Sequence, residues 1–271
     1  MVISDNDSGK YPSFIEALVL IVLFMVLQMS FGIAVGRWGA ELSLSHNGPS
    51  GFIINFLLIP LITGIAVISY GLWRGGYKWV SLLQEKRMPL NLYIIILLTS
   101  VGLSLFLAEV DKFVRFYYPM TEIWAEIFQN IYQANIILSF VGIVVIPPLI
   151  EEILFRGIIL KGFLKIYSPA LAISLSSLLF ALIHINIWQM ITAFIAGIFL
   201  GWVYYRSKSL FLVIFSHVVF NAIAVFGNRY VSIQDITGQI ENQSLWLFSA
   251  GLLIIMTGSY FFHRTLKSQS S

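Results

Sequence analysis

The chain has 271 residues, 58% of them hydrophobic and 11% charged, with a formal net charge of +3; an ordinary soluble domain carries roughly 25% charged residues. That apolar surplus exceeds what a soluble core absorbs, and the basic residues are dispersed between apolar runs, so a soluble domain and a nucleic-acid partner are both excluded. The absence of cysteine excludes disulfides, thiolate metal sites and a cysteine nucleophile.

Runs of eighteen or more apolar residues can cross the roughly 30 Å hydrocarbon layer as helices. The first, 13–35, follows a polar tail with Asp5 and Asp7. It exceeds the roughly 7 to 15 residues of a cleavable signal core, so it is expected to stay as a membrane helix. Further spans are expected at 51–72, 90–110, 135–165, 170–187, 190–205, 209–227 and 245–263, separated by charged, Pro, Gly or Asn-containing turns. The expectation is an all-α, polytopic bundle of about eight transmembrane helices, a single transmembrane domain over 1–271 in a multi-pass membrane location, the cell membrane if the source is prokaryotic.

Loop charge supports an even number of spans. Lys10, Arg74, Lys78, Lys86, Arg87, Arg156, Lys161, Lys165, Arg206, Lys208, Arg264 and Lys267 fall on the side of the N-terminus, and Arg37, Lys112, Arg115 and Arg229 opposite. Lys and Arg concentrate in the cytoplasm, so both termini are placed there. The aromatic stretch 111–130 reads either as a helix lying in the membrane surface or as an aromatic-belt loop. Ala193, Gly197 and Gly201 form a small-residue stripe suited to close helix contact.

A charge in hydrocarbon costs at least roughly 2.5 to 3.5 kcal/mol, so ionisable groups inside spans mark function by default. The fourth span contains Pro147 and Pro148, then Glu151, Glu152 and Arg156. The prolines predict a long, bent helix. Glu152 and Arg156, four apart, share a face and can pair, whereas Glu151 points about 100° away. Glu152 is expected to hold local geometry and the unpaired, desolvated Glu151 to act as general base. The alternative is a cap of charges at the cytoplasmic surface.

In the fifth span His184 follows Phe180 by four residues, and in the seventh His217 and Asn221 have the same spacing. Each histidine has a bland alternative: a bond from His184 to a neighbouring carbonyl, or an interhelical hydrogen bond from the His217–Asn221 pair worth about 1 kcal/mol. Depth argues for one site. At roughly 1.5 Å per residue, Glu151 lies about 21 Å from Lys165, His184 about 22 Å from Pro169, Asn221 about 18 Å and His217 about 12 Å from Ser209. The catalytic core is therefore expected at about 136–227.

Other intramembrane hydrolases leave marks that are missing: no HisGluxxHis helix, no GlyxSerxGly elbow, and aspartates (Asp5, Asp7, Asp111, Asp235) only in loops or at span ends. The motifs GluGluxxxArg at 151–156, PhexxxHis at 180–184 and HisxxxAsn at 217–221 resemble, in that order, those of the CPBP family of CAAX proteases and bacteriocin-processing enzymes. The likeness covers roughly 147–227. It implies an intramembrane endopeptidase in which Glu151 and His184 activate water while His217 and Asn221 stabilise the oxyanion, with Glu152, Arg156 and Phe180 in support.

Family members are usually catalogued as metalloproteases. Glu151, His184 and His217 are competent zinc ligands, so Zn is possible, although metal-free catalysis is favoured. The implied partner, besides the lipid bilayer, is a prenylated CAAX-type protein or another membrane-associated peptide, met in a cavity open to the cytoplasm. The short interval from His184 to His217 is closer to the bacterial branch. Two other readings stand beside this one: a non-enzymatic immunity or adaptor protein that binds a peptide or helix in the same cavity, and an ion-coupled transporter, disfavoured because no inverted repeat is visible.

Overall fold

The computed structural model describes residues 10–41, 51, 53–80, 88–229 and 244–268. Asp5, Asp7, Lys86, Arg87 and Asp235 lie outside the described residues. The described residues form an all-helical bundle: α1 (Phe14–Glu41), α2 (Ile53–Arg74), α3 (Leu90–Tyr117), α4 (Glu122–Gln133), α5 (Ile136–Phe163), α6 (Pro169–Leu182), α7 (Ile187–Ser207), α8 (Leu210–Gly227) and α9 (Leu245–Ser268). Seven are long and apolar enough to cross a membrane, and α6 is a shorter apolar eighth.

Three boundaries differ from the sequence expectation. The third span does not stop at 110 but continues to Tyr117 as one 28-residue helix, about 42 Å long, so Asp111, Lys112 and Arg115 belong to it. A short helix does form in this stretch, but over Glu122–Gln133 rather than 111–130, with Ala125 and Phe128 buried. The fifth span stops at Leu182 instead of 187; its 14 residues extend about 21 Å, short of the hydrocarbon layer.

The packing follows from small residues and one proline pair. α3 runs along α9 and α8, and α6 lies along α7. A Cβ on Gly197 would stand 3.0 Å from the Cβ of Ser177, and one on Gly201 3.0 Å from Ile173, so the expected stripe on α7 is where α6 comes close. Gly64 of α2 gives the same close approach to Ile150 of α5. α5 is continuous but irregular, with π-helical turns at Phe140–Val145 and Ile153–Leu160 on either side of Pro147 and Pro148. Proline supplies no N–H, so the ladder widens around it.

Contacts between helix ends identify the two faces. On one, Arg74 pairs with Glu16 at 3.4 Å, Lys165 Nζ donates to the Tyr77 hydroxyl at 2.6 Å, and Arg206 hydrogen-bonds His263. On the other, Trp188 Nε1 donates to the Tyr118 carbonyl at 2.7 Å, and Arg229 donates to the carbonyls of Tyr132 and Ala134. Arg156 belongs to neither face, because it is buried inside the bundle. Without it the described basic residues still divide as Lys10, Arg74, Lys78, Lys161, Lys165, Arg206, Lys208, Arg264 and Lys267 against Arg37, Lys112, Arg115 and Arg229. The first face is cytoplasmic by the positive-inside rule.

Candidate active site

The fixed point of the site is an ion pair on α5. Arg156 Nη1 donates to Glu152 Oε1 at 2.8 Å, and the two side chains are 1% and 0% exposed. Arg156 Nη2 reaches the Gly197 carbonyl of α7 at 3.0 Å, and its guanidinium lies 4.8 Å over the Phe180 ring of α6. One side chain thus ties three helices together. Neither residue is a charge at the membrane surface, which removes the end-cap alternative. A buried pair of this kind is strongly coupled, because removing either partner strands the other in an apolar interior.

Glu152 also holds His217 on α8. Its Oε1 takes Nδ1 of His217 at 2.7 Å, so Nδ1 carries the proton that is donated and Nε2 is left facing Oε2 of Glu151 at 3.7 Å. Sequence spacing showed the Glu152–Arg156 pair but not this second bond, which joins helices 65 residues apart. The signal it offered was the neighbourhood of two glutamates: one paired locally can still accept from another helix.

Asn221, one turn further along α8, donates from Nδ2 to the carbonyl of Ile143 at 2.9 Å. The prolines explain why that carbonyl needs a partner. In an α-helical turn its donor would be residue 147 and in a π-helical turn residue 148, and both are proline. Asn221 supplies the missing donor. The interhelical bond weighed as the bland reading of Asn221 is therefore real, and it leaves the second amide proton free to act elsewhere.

His184 lies in the turn after α6, not on a helix. Its Nδ1 contacts the Phe180 carbonyl at 3.1 Å; a carbonyl only accepts, so Nδ1–H donates and Nε2 of the neutral ring holds the lone pair. Ile185 has a φ of 60°, a conformation a β-branched residue adopts only under constraint. Asn186 supplies part of that constraint by donating to the His184 carbonyl at 2.9 Å and accepting from Gln189 N. Non-helical backbone at this depth is tolerated where it lines a cavity. Phe180 meets both imidazoles edge-on, at 5.2 Å for His184 and 5.7 Å for His217, which makes it the wall between them.

Two cavities share His184. The larger, about 570 Å³, is lined by Phe180, His184, His217 and Asn221 at its floor and reaches Asp111 and Lys112. It opens on the face opposite the basic one, not toward the cytoplasm as expected. Burial pushes the Tyr132 phenol at its rim up to about 12, with Arg115 lowering it and Asp111 raising it, so the rim hydroxyl stays neutral. The smaller, about 320 Å³, is lined by Glu151 and His184 together with Phe24, Met25, Gln28 and Met29 of α1. The sequence reading gave α1 no part in the site. Gln28, polar within an apolar run, was the available hint.

All seven residues singled out from sequence are brought together. Glu151 is 15% exposed while Glu152 beside it is sealed, so the two carboxylates do separate into an accessible and a structural one. Among the described residues no three His, Asp or Glu side chains stand together at ligating geometry. Glu151, His184 and His217 are not gathered in this arrangement as a three-ligand zinc set.

Comparison with known proteins finds two similarities. Residues 133–223 match the profile of the type II CAAX prenyl endopeptidase Rce1-like family. A Bacillus subtilis (strain 168) protein named "Putative membrane peptidase YdiL" is 25% identical over 136 residues, 49% of this chain and 52% of that protein, so the chain spans about half the length of the curated relative it matches. No solved structure matches the chain. With its three motifs gathered around one site inside a membrane bundle, the chain is similar, over residues 133–223, to the type II CAAX prenyl endopeptidase Rce1-like family.

Proposed function

We propose that the chain is a glutamate-dependent intramembrane endopeptidase that hydrolyses a membrane-associated peptide. The observation that carries the reading is the division of four polar residues between two cavities that share His184: Glu151 and His184 line one, and His184, His217 and Asn221 the other. A peptide carbonyl lying across the wall presents one face to each side. Water held by Glu151 and the free Nε2 of His184 attacks from the first, with Glu151 taking its proton. The carbonyl oxygen, as it gains charge, lies toward the second side, where the spare Asn221 amide proton and His217 when protonated can donate to it. The proton on Glu151 then passes to the leaving amine.

Glu152 and Arg156 take no part in bond making; they hold His217 with Nε2 forward. Oriented donors of this kind act without reorganisation at the moment of reaction, which is where their value lies.

The test uses purified full-length protein and a library of membrane peptides. Glu151→Gln should lower kcat/KM by about 10²- to 10⁴-fold, the usual worth of a positioned acid–base group. Equal rates for the two proteins would remove Glu151 from the chemistry. Retention of the full cellular effect by Glu151→Gln would instead favour the peptide-binding, non-enzymatic reading.

A further inference from the structure

Resting on the peptidase reading above, we infer that the site draws its substrate from the non-cytoplasmic side: an exported or outer-leaflet peptide whose apolar residues run down the larger cavity to the His184–His217 floor.

The first support is the direction of the open path. From His217 the cavity follows α8 to Asn228, eleven residues and about 16 Å, between Leu107, Trp188, Ala196 and Phe220. It ends at Asp111 and Lys112 near the end of α3. Its about 570 Å³ lies in the range of about 300–1,000 Å³ typical of ligand sites. In the other direction, from His217 to Ser209, the route is filled. Leu154, Phe155, Ile158, Leu212 and Val213 are all 0% exposed there, and Arg156 is locked among them.

The second support is charge. The filled end faces the side with nine described basic residues, and the open end the side with four, so the open end is non-cytoplasmic. The two observations are independent, one of packing and one of composition.

The lining indicates the chemistry of the occupant. At the mouth Lys112 pairs with Glu109 at 2.6 Å and Arg115 with Asp111 at 2.7 Å, so the charges there largely cancel and ask for no particular charge on the peptide. Below them the wall is mostly aromatic and aliphatic, with Ser104, Gln189 and Thr192 as its polar members above the histidines. Selection therefore falls on apolar side chains near the cleaved bond, with the polar part of the substrate left at the outer surface. A cytosolic prenylated protein would approach the filled end.

The chain contains no cysteine, so single cysteines report without background. Full-length Gln189→Cys and Thr192→Cys, on the cavity wall, and Lys165→Cys, on the opposite face, are produced in intact cells and exposed to a membrane-impermeant maleimide before and after permeabilisation. The first two should label before permeabilisation and the third only after it. Labelling of both cavity cysteines only after permeabilisation overturns the inference.

In a second arm, wild-type protein in sealed vesicles of known orientation is given external peptides carrying a sulfonated, impermeant dye. Cleavage confined to right-side-out vesicles supports the inference, and cleavage confined to inverted ones overturns it. Absence of cleavage in either orientation and in detergent would count against peptidase activity itself, and the labelling would still decide the side.

Discussion

The two halves of the bundle, divided at the Phe180 wall, are built differently. Toward the cytoplasm, α5, α7 and α8 interlock around a single large apolar core containing Leu154, Phe155, Ile158, Leu200 and Val213, all 0% exposed, with Glu152 and Arg156 sealed inside it. Toward the opposite face the packing reduces to a small separate cluster of Val114, Met120, Ala125, Phe128 and Trp188, where α4 caps the end of α3. Between the two lies the larger cavity. Reactive side chains are placed at the boundary: they gain rigidity from the packed half and access from the open one, which is how a site avoids being either buried or loose.

The comparison can be broken most directly at the two adjacent glutamates. Glu151→Gln should cost about 3–5 kcal/mol in the barrier to cleavage while leaving thermal unfolding in detergent unchanged, because it meets His217 only at 3.7 Å. Glu152→Gln should lower both. If the two variants behaved alike in a paired activity and thermal-melt assay, the distinction between accessible and structural carboxylate would be wrong.

Arg156→Met should destabilise the protein by about 3–5 kcal/mol, since Glu152 would be left in an apolar interior with His217 alone. The double variant Glu152→Gln, Arg156→Met should recover part of that loss. Equilibrium unfolding in mild detergent measures both.

Equal truncations then compare the halves. Leu154→Ala, in the packed half, should cost about 2–5 kcal/mol, whereas Leu107→Ala, on the cavity wall, should cost about 1 kcal/mol or less because the wall already borders open space. Similar losses at the two positions in the same unfolding assay would show that the open half is more tightly packed than described.

The smallest effect tests the proline argument. Asn221→Ala should cost about 1–2 kcal/mol by leaving the Ile143 carbonyl unpaired. In a Pro147→Ala background, where an N–H returns to the helix, the same substitution should cost less. A double-mutant cycle with no coupling would separate Asn221 from the kink.

Much of this was legible in the residues. Glu152 and Arg156 pair because four residues is one helical turn, and Gly197 and Gly201 admit α6 because they carry no side chain; both follow from spacing alone. The length of α3 is not legible in the residues: charges ordinarily end a span, yet Asp111 and Arg115 pair along the helix at 2.7 Å and let it continue. The early end of α6 had no local signal either. Ile185 is a poor residue for a φ of 60°, and only the bonds of Asn186 across the turn hold it there.

By itself the sequence determined a polytopic bundle, its orientation and the identity of its polar residues, since apolar run length, loop charge and helical period are local quantities that the bilayer reads directly. What only the tertiary structure decided was the sharing of Glu152 between Arg156 and His217, the use of Asn221 to satisfy a carbonyl orphaned by proline, and the side on which the cavity opens. Those depend on which helices lie together and at what height, and a carboxylate or an amide has no preference among partners until packing brings one within reach.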